Sequence, residues 1–106
     1  MKKYDAIIIG AGHNGLTNAT YLAKAGLNTL VIEKNDYIGG AAVTRELHEG
    51  WFYSNCSYVC SMMRQSIHRD LNLTKHGLIL VPYLGTVTFG DSGDTISAYH
   101  SEGPYY

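Results

Sequence analysis

The sequence predicts an α/β fold, and three features of its first half carry that prediction. A continuous apolar run comes first, a glycine-rich turn that opens an amphipathic helix comes next, and a second apolar run follows. A strand, a glycine turn, a helix and a strand within about 30 residues form a βαβ unit. We therefore expect a partial Rossmann-like unit that binds FAD or NAD(P), followed by the start of a mixed α+β region.

Each element of the βαβ unit has its own signal. Residues 5–9 contain four consecutive apolar side chains without alternation, which is typical of a parallel strand covered on both faces. A helix is predicted over residues 14–25, ended by Gly26, and a second strand over Thr29–Ile32. The helix residues expected to face the sheet recur at spacings of three and four. They are Leu16, Ala19, Leu22, Ala23 and Gly26.

The rest of the chain is less regular, and its elements are predicted from apolar spacing and turn residues. We expect a loop or short strand in 41–60, a helix over 62–76 capped by Gly77, a strand over Leu78–Val81, and a hairpin of Thr86–Phe89 and Thr95–Tyr99. We divide the chain into a nucleotide-binding unit, 1–50, and the beginning of a substrate-domain region, 51–106.

Composition excludes several classes of protein. A hydrophobic fraction of 45% permits a packed core, and a net charge of −1 gives no electrostatic basis for binding nucleic acid. The apolar runs are too short for a membrane span or a signal peptide. The spacing of Cys56 and Cys60 suits neither a zinc site nor a C-x-x-C motif, so we expect reduced thiols in a cytoplasmic protein. We predict no metal site, since four of the histidines have no metal-ligand spacing: His48, His68, His76 and His100.

The chemistry is carried by a G-x-G-x-x-G motif between the first strand and the helix. Gly10 permits the tight turn, Gly12 lets a pyrophosphate approach the backbone, and Gly15 permits close packing of helix on strand. Between them, His13 offers either its side chain or its N–H, and Asn14 lies at the helix start. The N–H groups and the dipole of the helix would hold the phosphates.

A carboxylate and a second glycine pair complete the candidate site. Glu33 ends the second strand, where it can accept hydrogen bonds from an adenosine ribose and would repel a 2′-phosphate. Lys34 either contacts the adenosine side or is solvated. Gly39 and Gly40 follow six residues later and would let another backbone segment approach the same ligand. That second approach favours FAD over NAD.

The run Ile7–Gly15 followed by Glu33–Thr44 resembles the start of FAD-dependent oxidoreductases of the phytoene desaturase and amine oxidase group. Scattered residues between Gly50 and Leu78 resemble one branch of that group. The resemblance implies FAD as cofactor, with Gly10, Gly12, Asn14 and Gly15 at the pyrophosphate and Glu33 at the ribose. It further implies that Gly39, Gly40 and Ala41 approach the cofactor from the second loop.

Local departures accompany the resemblance. Ala41 stands where many relatives have an arginine, and the nearest arginine in this chain is Arg45. The disulfide reductases among flavoproteins carry a cysteine pair with different spacing and position, so Cys56 and Cys60 are not expected to be catalytic.

The implied function is that of the N-terminal FAD-binding part of an oxidoreductase that transfers hydride from a carbon substrate to flavin N5. The alternatives are a non-catalytic nucleotide-binding module and a truncated, inactive fragment. The catalytic residues are not identified, and the substrate is expected to be a small, hydrophobic molecule. Four aromatic residues either line its pocket or pack in a core: Trp51, Phe52, Tyr53 and Tyr58. Association with a membrane surface and the oligomeric state stay open, and Arg69–Asp70 is expected on a solvated helix face.

Overall fold

The structure is a computed structural model that describes residues 2–54 and 56–99. Its six strands and two α-helices follow the order β1, α1, β2, β3, β4, α2, β5, β6. The bounds are β1 Ala6–Ile9, α1 His13–Lys24, β2 Thr29–Ile32, β3 Thr44–His48, β4 Trp51–Ser54, α2 Gln65–Asp70, β5 Gly85–Phe89 and β6 Thr95–Tyr99. Short 3₁₀ turns occupy Gly40–Ala42 and Leu73–His76.

The first three elements form the predicted βαβ unit. Strands β1 and β2 are parallel, with Ala6 opposite Thr29 and Ile9 opposite Ile32. Helix α1 begins and ends one residue before the predicted bounds, and Gly26 takes the left-handed conformation after it. The α/β fold class is therefore confirmed.

Two predictions about burial in this unit are wrong. Ile7 is 57% exposed and Ile9 is 88% exposed, because α1 packs against the other face of the sheet and none of the described elements covers this one. On the helix, Ala19 is buried and its neighbours Leu16 and Leu22 are half-buried, whereas Ala23 and Gly26 are exposed. The stripe that faces the sheet is shorter than predicted; within the described residues, the sheet beneath it has two strands of four residues each.

Two antiparallel hairpins follow. The segment predicted as a loop or short strand contains β3 and β4, paired from Thr44 opposite Ser54 to His48 opposite Trp51. The proposed domain boundary at residue 50 falls in the turn of this hairpin, and it stays a prediction. Strands β5 and β6 form the predicted second hairpin, from Gly85 opposite Tyr99 to Phe89 opposite Thr95.

The predicted helix over 62–76 is divided in two. Helix α2 ends at Asp70, and Asn72 takes a left-handed conformation with φ of 52°, which interrupts the helical hydrogen bonds. A 3₁₀ turn then runs to Gly77, which caps it as predicted. The prediction of a strand over Leu78–Val81 is wrong. This segment has no strand partner among the described residues, and Pro82 lacks the N–H that a β-ladder needs.

The described part of the chain is elongated and has little core. It measures 62 × 32 × 22 Å, and its radius of gyration is 18.1 Å. A globular domain of this length would have a radius of gyration of about 13 Å. Within the described ranges, the buried hydrophobic residues are Ala11, Ala19 and Leu71. Two of these three residues, Ala11 and Ala19, lie in the glycine turn and in α1, where the candidate site also lies.

Candidate functional site

The turn between β1 and α1 is held to the end of β2. Gly10 has a φ of +98°, a backbone conformation that residues with a Cβ rarely adopt. Its N–H donates to the carbonyl of Ile32 at 2.7 Å. This bond continues the parallel ladder one residue beyond β1. Ala11 follows and is only 2% exposed. The tight turn predicted at Gly10 is thus present and anchored to the neighbouring strand.

Gly15 is required by the close packing of α1 on this turn. A Cβ at this position would lie 2.1 Å from the carbonyl oxygen of Gly10 and 3.4 Å from Cγ2 of Ile8. The first distance is far below any van der Waals contact, and a backbone oxygen cannot move aside cheaply. The predicted packing role of the third glycine is therefore confirmed.

The protein atoms around Gly12 leave space for a Cβ. It is the N-cap of α1 in extended conformation, and a Cβ there would lie 3.8 Å from Cα of Gly40, an ordinary contact. No side chain in residues 2–54 and 56–99 caps the helix, and its first turn has no acidic residue. The N-terminus of α1 is therefore open to an anion, with nothing in the first turn to repel one.

The second glycine pair lies directly against the first turn. The N–H of Gly39 donates to the carbonyl of Ala11 at 2.8 Å, and Gly39 and Gly12 form an isolated parallel bridge. A Cβ on Gly40 would lie 2.9 Å from Cα of Gly12. Ala41 is exposed in the 3₁₀ turn that follows. The structure therefore brings together two glycine loops that are more than twenty residues apart in sequence.

Glu33 is tied to the same turn through its carboxylate. Its Oε2 accepts the N–H of Ala11 at 2.7 Å, while Oε1 accepts the N–H of Asn35 at 3.0 Å and the Asn35 side-chain amide at 2.8 Å. The Asn35 N–H foremost, and the Ala11 N–H after it, lower the pKa of the Glu33 carboxyl below its usual value. The side chain is therefore an anion fixed beside the glycine turn.

This arrangement of strand, glycine turn, helix and strand-end carboxylate agrees with the sequence comparison. The family described as NAD(P)-binding Rossmann-like domain matches residues 8–71. The chain belongs to that family. The match begins within β1 and covers the rest of the βαβ unit, both glycine loops and α2.

Relatives of the Rossmann-like domain confirm the resemblance to the phytoene desaturase and amine oxidase group. The chain is 54% identical over 78 residues to rat (Rattus norvegicus) pyridine nucleotide-disulfide oxidoreductase domain-containing protein 2, covering 74% of this chain and 13% of the rat protein. It is 34% identical over 92 residues to Neurospora crassa phytoene desaturase, covering 87% of this chain and 12% of that protein.

Solved structures extend the similarity to the fold. Wild-type putrescine oxidase bound to putrescine superposes with a TM-score of 0.62 at 28% identity, covering 97% of this chain and 23% of that one. The chain thus spans between about an eighth and a quarter of the relatives it matches.

The remaining predicted site residues lie at the edge of the two loops. His13 and Asn14 are exposed at the start of α1, and Lys34 is exposed after β2. Their side chains form no hydrogen bond or ion pair within residues 2–54 and 56–99. All three are free to contact a ligand, and the alternatives for His13 and Lys34 both stay predictions.

A contact that the sequence did not predict joins the two helices of the Rossmann-like domain. The Tyr21 hydroxyl donates to Oδ2 of Asp70 at 3.1 Å, and Lys24 Nζ donates to the Asp70 carbonyl. Desolvation and the neighbouring Asp70 carboxylate raise the pKa of Tyr21. Asp70 also pairs with Arg69 at 3.3 Å, so it does more than face solvent. The residues are 49 apart in sequence, and no local pattern could have revealed the pair.

The other candidate residues lie away from the glycine loops. Cys56 and Cys60 are free and exposed, and within the described ranges no three metal-ligating side chains cluster. His100 lies outside the described residues. The four aromatic residues of 51–58 are exposed, so they do not pack in a core of the described chain. A cavity of about 340 Å³ near α2 is lined by Cys60, Met63, Gln65, His68, Arg69 and Leu80.

No helix within the described ranges is long and apolar enough to span a membrane.

Proposed function

We propose that this Rossmann-like domain binds the ADP half of FAD as part of an oxidoreductase. The observation that carries the proposal is the contact of Gly39 and Gly40 with Ala11 and Gly12, beside an uncapped helix N-terminus. A ligand at Gly12 would meet two backbone segments and the positive end of a helix. That combination suits a pyrophosphate.

The geometry of the predicted residues fits such a ligand. Gly10 has a positive φ and Gly15 has no room for a Cβ, but at Gly12 neither the backbone conformation nor the neighbouring atoms require glycine. The approach of a phosphate would account for glycine at this position. The Glu33 carboxylate already accepts three hydrogen bonds, and a carboxylate has about four lone-pair positions. It can still accept a ribose hydroxyl. A 2′-phosphate would be repelled, which favours FAD or NAD over NADP.

The choice of FAD over NAD rests on the second loop. Gly39, Gly40 and Ala41 would approach the cofactor, while His13 and Lys34 lie free at the rim. Relatives named phytoene desaturase and putrescine oxidase support an oxidoreductase of this kind. Flavin supplies an acceptor for a hydride from a carbon substrate when it is bound. The substrate we propose is a small, hydrophobic molecule, and the exposed thiols fit a cytoplasmic location.

Binding of FAD by the intact protein tests this proposal. We expect FAD to remain with the protein through size-exclusion chromatography and its fluorescence to change on release by denaturation. ADP should compete, whereas 2′-phospho-ADP should compete at least ten-fold less well. Retention with turnover of a hydrophobic alkene or amine supports the enzyme; retention without turnover of any such substrate supports a nucleotide-binding module. If neither FAD nor ADP changes the melting temperature, the proposal is wrong.

A further inference from the structure

The guanidinium of Arg45 lies over the ring of Tyr37, with Cζ 4.8 Å from the ring centroid. These two residues stand on either side of the second glycine loop, one before it and one after it. A guanidinium over an aromatic face is attracted by the ring quadrupole, at about 0.5–1 kcal/mol in exposed positions. The contact therefore joins the two ends of the loop that carries Gly39 and Gly40.

The backbone of Arg45 is held in the β3–β4 hairpin. It lies in β3, where its cross-strand partner is Tyr53, and Tyr53 stacks on Trp51 with ring centroids 6.4 Å apart. The antiparallel pairing holds the Arg45 backbone, and the planar side chain reaches back to Tyr37. The hairpin thereby supports the loop from which it emerges.

We propose that the Arg45–Tyr37 pair is a clasp that keeps the second glycine loop seated on Gly12. Among the described residues, the loop meets the first turn through the Gly39 N–H on the Ala11 carbonyl at 2.8 Å, the Gly39–Gly12 bridge and the close approach of Gly40 to Gly12. Both glycines have positive φ in the fold. Because glycine has no Cβ, this segment also has unusual backbone freedom in the unfolded chain. Closing its ends lowers the entropy lost when the loop is ordered against the ligand.

The clasp makes Arg45 and Tyr37 positioning residues for the dinucleotide, and this role rests on the proposed function. The alternative is that the Arg45 charge acts directly on the phosphates. Tyr37→Leu separates the two, because it removes the aromatic ring and leaves the charge in place. A direct effect of the Arg45 charge would be unaffected by Tyr37→Leu, whereas the clasp requires this variant to weaken FAD binding about as much as Arg45→Ala does.

The experiment measures FAD affinity and amide exchange in the intact protein. For Arg45→Ala and Tyr37→Leu we expect a two- to five-fold weaker FAD affinity, the fold-change that corresponds to the cation–π range above. The double variant should bind FAD about as tightly as the weaker-binding of the two single variants. Tyr37→Phe should bind FAD like the wild type. Lys75→Ala, which removes an equal charge from an exposed position, is the matched control.

Amide hydrogen exchange without ligand makes the test independent of the proposed function. The Gly39 amide, bonded to Ala11, should exchange two- to five-fold faster in Arg45→Ala and Tyr37→Leu. The Gly10 amide, bonded to Ile32, is the internal reference and should not change. Unchanged Gly39 exchange in both variants overturns the clasp. Changed exchange with no FAD binding in the wild type would overturn the proposed function and leave the clasp standing.

Discussion

The backbone N–H of Ala11 and the carboxylate of Glu33 are joined by a 2.7 Å hydrogen bond across the carboxyl ends of β1 and β2. Ala11 is 2% exposed, and its carbonyl receives the N–H of Gly39. One residue thus connects the carboxylate on one side with the second glycine loop on the other. Because Ala11 contributes only backbone atoms to these bonds, the arrangement depends on the conformation of the turn and on Glu33.

The first prediction concerns Glu33 and pH. Hydrogen bonds from Asn35 and Ala11 lower the folded-state pKa below the ordinary 4.5. A lowered pKa means that the stabilisation is fully present above about the unfolded value and is lost as pH falls through the folded one. Glu33→Gln should therefore lower the urea midpoint at pH 7, and the difference from wild type should shrink steadily below pH 4.5.

Glu49→Gln is the matched control for this titration, because Glu49 is exposed and has no partner in the described part of the chain. It should follow the wild type at every pH. A Glu33→Gln difference that is constant from pH 7 to the acid limit would contradict the role assigned to the carboxylate.

The second prediction is that Gly15→Ala disrupts the βαβ unit. In a helix interior, alanine is about 1 kcal/mol more stable than glycine. At position 15, however, its Cβ would lie 2.1 Å from the Gly10 carbonyl oxygen. Overpacking of this kind costs about 1–3 kcal/mol and displaces backbone. We expect a lower urea midpoint for Gly15→Ala. Gly90→Ala, where a Cβ meets only ordinary contacts at 3.5 Å, should leave the midpoint unchanged.

The sequence predicts the βαβ unit well because its signals are local. The apolar runs, the glycine positions and Gly26 fix β1, α1 and β2 to within one or two residues of the observed bounds. The place of Glu33 at the end of β2 followed from the same pattern. Its bond to Ala11 did not, because that contact joins residues 22 apart in sequence and depends on the register between the two strands.

The later elements could not be predicted to the same degree. The apolar spacing of Met63, Ile67 and Leu71 is continuous, and it conceals the break that the left-handed Asn72 introduces. The apolar run Leu78–Val81 resembles a strand, but strands exist only with a partner, and the described chain offers none. Tyr21 and Asp70 are likewise brought together by the tertiary structure alone.

The third prediction tests the break in the helix at Asn72. Its φ of 52° is unfavourable for most residues, and asparagine and glycine are the ones that tolerate it. Asn72→Ala should destabilise the region by about 1 kcal/mol, while Asn72→Gly should be close to neutral. Amide exchange at Leu78, whose N–H bonds the Leu73 carbonyl, reports on this turn. Equal exchange in the two variants would show that the left-handed conformation is not what limits stability here.

The fourth prediction separates folding from ligand binding at Gly12. Its Cβ would meet nothing closer than 3.8 Å in the protein, so Gly12→Ala should keep the fold, with a loss of at most about 1 kcal/mol for the poorer N-cap. The same methyl group would occupy the space into which a pyrophosphate must come. We expect FAD affinity to fall by more than ten-fold while the urea midpoint stays close to that of wild type. For Gly15→Ala we expect the opposite pattern, in which the fall in the urea midpoint is the main effect. If Gly12→Ala binds FAD as tightly as wild type, the phosphates do not lie against this backbone, and the open N-terminus of α1 is not the anion site.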